Sequence, residues 1–70
     1  MHQPSLRITI NGAVTIAAGG TLAELVDHLG YGEQRIATAL NGEFVPQSRR
    51  ATTAIADGDR VEILAARQGG

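Results

Sequence analysis

The side chains that ordinarily carry catalysis are few in this sequence and poorly placed to cooperate. Ser5 and Ser48 have no histidine and acidic partner at the spacing of a nucleophilic triad. The chain has no cysteine, so its own side chains cannot hold a persulfide, a disulfide, a thiolate nucleophile or an iron–sulfur cluster. His2 and His28 are far apart and lack a metal-ligand spacing, so neither a metal nor a bound cofactor is expected. Asp57 and Asp59 have the residue type of a carboxylate pair, but the intervening Gly58 makes them a turn. Gly19-Gly20 lacks the further glycines and following lysine of a phosphate loop and reads as a strand-to-helix turn. His28 falls near a helix C-terminus, where a structural role suffices.

What remains is the tail, Ala66-Arg67-Gln68-Gly69-Gly70. A carboxylate threaded through a narrow channel into another protein's active site needs the smallest cross-section and freedom at positive φ, and glycine supplies both. Its unhindered terminal carbon can be activated as an acyl adenylate and then attacked by a sulfur nucleophile. Gly70 is the candidate reacting group, with Gly69 and Gly70 together required for its delivery; a merely disordered chain end is the other reading.

The elements that must position this tail are legible from periodicity. Leu6, Ile8 and Ile10 alternate with Arg7 and Thr9, as in a strand with one buried face, and Asn11-Gly12 tolerates the positive φ of a tight hairpin. Val14 and Ile16 alternate with Ala13, Thr15 and Ala17 in the return strand. Thr21 followed by Glu24 matches a capping box, and Leu22, Leu25, Val26 and Leu29 follow at helical spacing, leaving Glu24, Asp27 and His28 toward water. Gly30 suits the left-handed cap that ends the helix.

Ile36, Thr38 and Leu40 alternate in a third strand, which reaches a second tight turn at Asn41-Gly42. The return strand Glu43-Phe44-Val45 is stopped by Pro46, which marks an edge. The stretch from Gln47 to Ala56 reads as irregular, with room for one short helical turn. Asp57-Gly58-Asp59 turns the chain into a last strand, in which Val61, Ile63 and Ala65 alternate with Arg60, Glu62 and Leu64. Leu64 thus falls on the face opposite Val61 and Ile63. An exposed apolar residue so near the tail suits a partner contact, and an ordinary exposed leucine is the other reading.

One amphipathic helix across one mixed sheet of four to five strands lets both bury their apolar faces. The expected fold is α+β, a ubiquitin-like β-grasp, with a domain over residues 1–66 and a flexible C-terminal tail over 67–70. Composition agrees with one small soluble domain: 70 residues, 43% apolar and 19% charged. A net charge of −1 from six arginines and seven acidic residues, with only Tyr31 and Phe44 aromatic, offers nucleic acid neither a field nor stacking platforms. The apolar runs are too short to span a membrane, and Met1-His2-Gln3-Pro4 lacks the features of a signal peptide, so a cytoplasmic location is expected.

Taken together, Ile8-Thr9-Ile10-Asn11-Gly12, Thr21-Leu22-Ala23-Glu24-Leu25, Ala39-Leu40-Asn41-Gly42-Glu43-Phe44-Val45-Pro46, Asp57-Gly58-Asp59-Arg60-Val61-Glu62-Ile63 and Gln68-Gly69-Gly70 resemble the ThiS family of thiamine-biosynthesis sulfur carriers. The resemblance extends more distantly to the small subunit of molybdopterin synthase and to ubiquitin. It implies a carrier that is not itself an enzyme. A ubiquitin-activating-like adenylyltransferase uses ATP to activate the Gly70 carboxylate, a persulfide donor supplies sulfur, and the thiocarboxylate serves a thiazole synthase. Arg67 and Arg49-Arg50 depart from the family pattern, and no partner-contact role is carried onto them. A carrier for molybdopterin or another sulfur-containing metabolite and a ubiquitin-like protein modifier are alternatives, since both would use a diglycine end. A β-grasp module binding a ligand or RNA would need no free terminal carboxylate.

Overall fold

The structure, a computed structural model, describes residues 5–32 and 34–65. In chain order it contains β1 (Ser5–Ile10), β2 (Ala13–Ala18), β3 (Gly20–Thr21), α1 (Leu22–His28), β4 (Ile36–Leu40), β5 (Glu43–Val45), a 3₁₀ helix (Gln47–Thr52), β6 (Ala54–Ile55) and β7 (Arg60–Ala65). Five strands form one sheet in the order β2-β1-β7-β4-β5, and β3 pairs with β6 in a separate two-stranded sheet. Only β1 and β7 run parallel; the other pairs are antiparallel. The expected mixed sheet against one main helix is therefore present, with β7, the last strand, at its centre.

The first hairpin turns on Asn11 (φ 50°) and Gly12 (φ 86°), both left-handed as a type I′ turn requires. A two-residue loop also fixes the register, setting Ala13, Thr15 and Ala17 opposite Ile10, Ile8 and Leu6. Opposed residues share a face, so the larger Val14 and Ile16 are turned out of the core, at 67% and 61% exposure. Alternation alone leaves the two faces of β2 equivalent; the turn length decides between them.

Helix α1 begins as expected. The Thr21 side chain accepts from the Glu24 N–H at 3.2 Å and the Glu24 carboxylate accepts from the Thr21 N–H at 2.9 Å, closing the capping box. Gly20 (φ 146°) is required beside it, because a Cβ there would run into the Glu24 carboxylate. The Gly19-Gly20 turn thus also supplies the first residue of β3. At the other end Gly30 (φ 91°) donates to Asp27 O and Tyr31 to Val26 O, the paired bonds of a Schellman cap.

Leu22, Leu25 and Val26 are buried with Ile8, Val45, Ile55, Val61 and Ile63. Leu29, expected on the same stripe, sits at the helix C-cap and stays 38% exposed. Ile55 enters the core from the stretch read as irregular, because β6 pairs with β3 there. Arg50 ties down the same stretch: its guanidinium donates to Thr38 Oγ1 at 3.1 Å and to the Ile36 carbonyl at 2.7 Å. Thr38, 1% exposed, in turn donates to the Val45 carbonyl at 2.8 Å, so the hydroxyl of this buried threonine both donates and accepts.

Candidate functional site at the end of the last strand

Among the described residues, the candidate site is the distal half of β7, from which the chain continues into the tail. β7 is paired with β4 from Leu40 opposite Val61 to Ile36 opposite Ala65. On its other side β1 pairs only at Arg60 and Val61. The gap beyond is closed by a side chain. Asn11 accepts from the Ile63 N–H at 2.8 Å and donates from Nδ2 to the Ile63 carbonyl at 3.0 Å, while its own N–H donates to the Val61 carbonyl at 3.0 Å. The asparagine amide thus continues the ladder by one step beyond the strand that carries it.

Asn41 grips the near end of the same strand. Its Oδ1 accepts from the Arg60 N–H at 2.9 Å, its N–H donates to the Arg60 carbonyl at 2.7 Å, and its Nδ2 donates to Asp59 Oδ1 at 3.0 Å. The sequence reading assigned both Asn-Gly pairs to turns alone. Their contacts with β7 required knowledge of which strand lies beside each turn, although the residue type, an amide with one donor end and one acceptor end, was the available signal.

Val61 and Ile63 are buried and fix the rotation of β7, so Leu64 stands on the opposite face at 72% exposure, as the alternation predicts. Its cross-strand neighbour is Ala37; one pair along, Ala39 opposes Glu62 on one side and Phe44 on the other. Phe44 is itself 68% exposed. Leu64, Ala37, Ala39 and Phe44 therefore share one outer face, bordered by the charged Arg60 and Glu62. Phe44 was not singled out from the sequence, yet Val45 pointing inward beside it determines its direction.

The remaining chemical candidates have structural employment or stand apart. Asp57 Oδ1 accepts from the Arg7 N–H at 2.7 Å, and Asp59 Oδ2 accepts from the Ala56 N–H at 2.7 Å, so the two carboxylates fasten the turn before β7. Ser5 opens β1, Ser48 lies in the 3₁₀ helix and His28 ends α1, all exposed on three separate elements. Among the described residues no group of three or more His, Cys, Asp or Glu is placed to hold a metal ion, and no helix is long and apolar enough to cross a membrane. Gly69 and Gly70, with the expected domain boundary after residue 66, lie outside the described residues.

A mixed five-stranded sheet grasping one helix, with a central last strand leading to the tail, defines a ubiquitin-like β-grasp protein. Comparison with known proteins narrows this. The ThiS family model matches residues 6–70, and the chain belongs to that family of β-grasp sulfur carriers. The crystal structure of a thiamine biosynthesis protein (ThiS) from Geobacter metallireducens superposes with a TM-score of 0.78 at 29% identity, covering 93% of this chain and 100% of that one. A thiazole synthase from Paramagnetospirillum magneticum is 36% identical over 66 residues, which are 93% of this chain but 20% of that protein. The chain thus spans about a fifth of the length of that relative.

Proposed function

We propose that this chain carries sulfur, as a C-terminal thiocarboxylate, for thiazole formation in thiamine biosynthesis. The observation that carries the reading is the family match, which spans residues 6–70, from β1 to Gly69 and Gly70. The likeness to part of a thiazole synthase supports thiazole formation over the molybdopterin alternative.

In this reading the Gly70 carboxylate oxygen attacks the α-phosphorus of ATP in an adenylyltransferase partner, and pyrophosphate leaves. The terminal sulfur of a partner's persulfide then attacks the acyl carbon and displaces AMP, giving an acyl disulfide. A second thiol cleaves the sulfur–sulfur bond, supplying two electrons and leaving a thiocarboxylate on Gly70 and a disulfide on the donor. Thiazole synthase is the proposed acceptor. The chain itself contributes no catalytic side chain and no cofactor; it supplies the acyl group and the surfaces that place it, with Leu64 in the partner contact.

Intact mass spectrometry of the protein from its native cells tests this. A species heavier by the difference between sulfur and oxygen, confined to the C-terminal fragment and absent from cells lacking the adenylyltransferase, is the expected result. Covalent adducts through Gly70 to lysines of larger proteins, without that species, would replace the carrier by a protein modifier.

A further inference from the structure

The two edges of the main sheet are unequal. β5 has three residues, contains Glu43 and is followed by Pro46, features that discourage pairing with another chain. β2 has six residues, Ala13–Ala18, and no charge or proline anywhere along it. Ile10 and Ala13 flank the two-residue turn and bond to each other across it, so the main-chain groups of Val14, Ile16 and Ala18 point away from β1, along the open edge.

Beside that edge, on the helix side of the sheet, lies a cavity of about 270 Å³ between β2 and α1. Its walls include Ala17, Leu25, Leu29 and Ile55, and Glu24 and His28 stand at its rim. It is smaller than the roughly 300–1,000 Å³ typical of small-molecule sites. A strand laid against β2 would direct alternate side chains into it.

We propose that the β2 edge and this groove form a docking site for an extended segment of a partner protein. The segment adds as a further strand, places a large aliphatic or aromatic side chain in the groove, and sets a basic residue against Glu24. Two observations select this occupant over a second copy of the chain. In the antiparallel pairing that a two-fold dimer would use, the residues that another β2 would turn inward are Ala13, Thr15 and Ala17, too small to fill the groove. Among the described residues, the only formal charge lining the groove is the Glu24 carboxylate, whose Oε1 alone is used by the capping box, and Asp27 is exposed on the same helix. A neutral β2 leaves that charge unmatched, whereas a cationic segment complements it. The site goes beyond the proposed carrier function: β1 separates β2 from β7, so an occupied edge leaves Leu64 accessible.

The test is an amide NMR titration of the full chain with an acetylated, amidated eight-residue peptide that alternates leucine with threonine and ends in arginine. Saturable shifts and slowed hydrogen exchange at Val14, Ile16 and Ala18 are expected. N-methylation of alternate peptide amides should weaken binding at least about tenfold, the equivalent of one lost main-chain bond. Glu24→Gln keeps the capping box, which glutamine also closes, and should weaken binding about two- to fivefold, as for an exposed ion pair. Lack of saturation at millimolar peptide, shifts centred on Leu64 and Phe44, insensitivity to both N-methylation and Glu24→Gln, or self-association of the free chain through β2 would each overturn the proposal.

Discussion

Replacing Asn11 by glycine isolates the contribution of its side chain to the end of β7. Asn11 has φ 50° and precedes Gly12 at φ 86°, so glycine preserves the turn conformation without strain. What disappears are the bonds to the Ile63 N–H and carbonyl, 2.8 and 3.0 Å long and partly buried. Two such bonds are worth about 2–3 kcal/mol together once the stranded main-chain groups are included, which corresponds to a Tm lower by about 10–20 °C in a domain of this size. Asn11→Asp tests the same geometry by charge. Its carboxylate accepts from the Ile63 N–H but faces the Ile63 carbonyl with no donor, an arrangement that raises its folded-state pKa above the usual value of about 3.9. The sign follows: the protonated form restores a donor, so the deficit relative to the natural chain is full at neutral pH and shrinks as pH falls through the raised pKa. Thermal melts at pH 7 and at about pH 4, each referred to the natural chain, together with hydrogen exchange at the Ile63 amide, read both effects. A glycine variant melting within about 2 °C of the natural chain, or an aspartate variant with no pH-dependent recovery, would refute the ladder role assigned to Asn11.

Deleting Gly69 and Gly70 should abolish sulfur transfer while changing stability by less than about 0.5 kcal/mol, and a large loss of Tm would assign the tail a structural role instead. Adding one alanine after Gly70 moves the reacting carbon by roughly 3.3–3.6 Å if the tail is extended, and misplacement of about 1 Å can cost a hundredfold, so adenylation rates should collapse. Near-normal adenylation of the extended chain would show that the partner does not gauge tail length. Leu64→Glu, on an exposed face, should leave Tm almost unchanged and raise KM for the adenylyltransferase at least about tenfold, as expected when a contact of more than 1 kcal/mol is lost; an unchanged KM would return Leu64 to the status of an ordinary surface leucine.

The fold was legible wherever a local rule has one outcome. An Asn-Gly pair between alternating strands, a capping box before a helical stripe, and a proline closing a three-residue strand each determine their structure within a few residues. What escaped was set by neighbours distant in sequence. The pairing of Gly20–Thr21 with Ala54–Ile55 joins segments more than thirty positions apart and is too short to leave a period. Arg50 is polar at a position with no apolar pattern, and its bonds to Ile36 and Thr38 exist only because the 3₁₀ helix folds back over β4. The outward turn of Val14 and Ile16 was implicit in the hairpin length and required that length to be carried along the strand as a register. At the site, Leu64 was readable because burial of Val61 and Ile63 fixes its face. The chemistry expected of Gly69 and Gly70, which lie outside the described residues, rests on exclusion of other groups and on resemblance, because glycines carry no side chain whose surroundings could declare a role.

The contacts that secure β7 bear on delivery as well as stability. In the proposed function, the carboxylate presented to a partner is placed in part by whatever fixes the strand that precedes it. β7 is fixed near that point from two sides, by the Ile36–Ala65 pairing on β4 and by Asn11 at Ile63, and Arg50 in turn holds the Ile36 carbonyl. Leu64 lies between these supports, with its main chain held and its side chain free to meet a partner. Under the proposed function, this orientation is the means by which the chain would influence the rate of a partner's reaction. On that proposal the central place of β7 in the sheet serves delivery, since an edge strand would be braced from one side only.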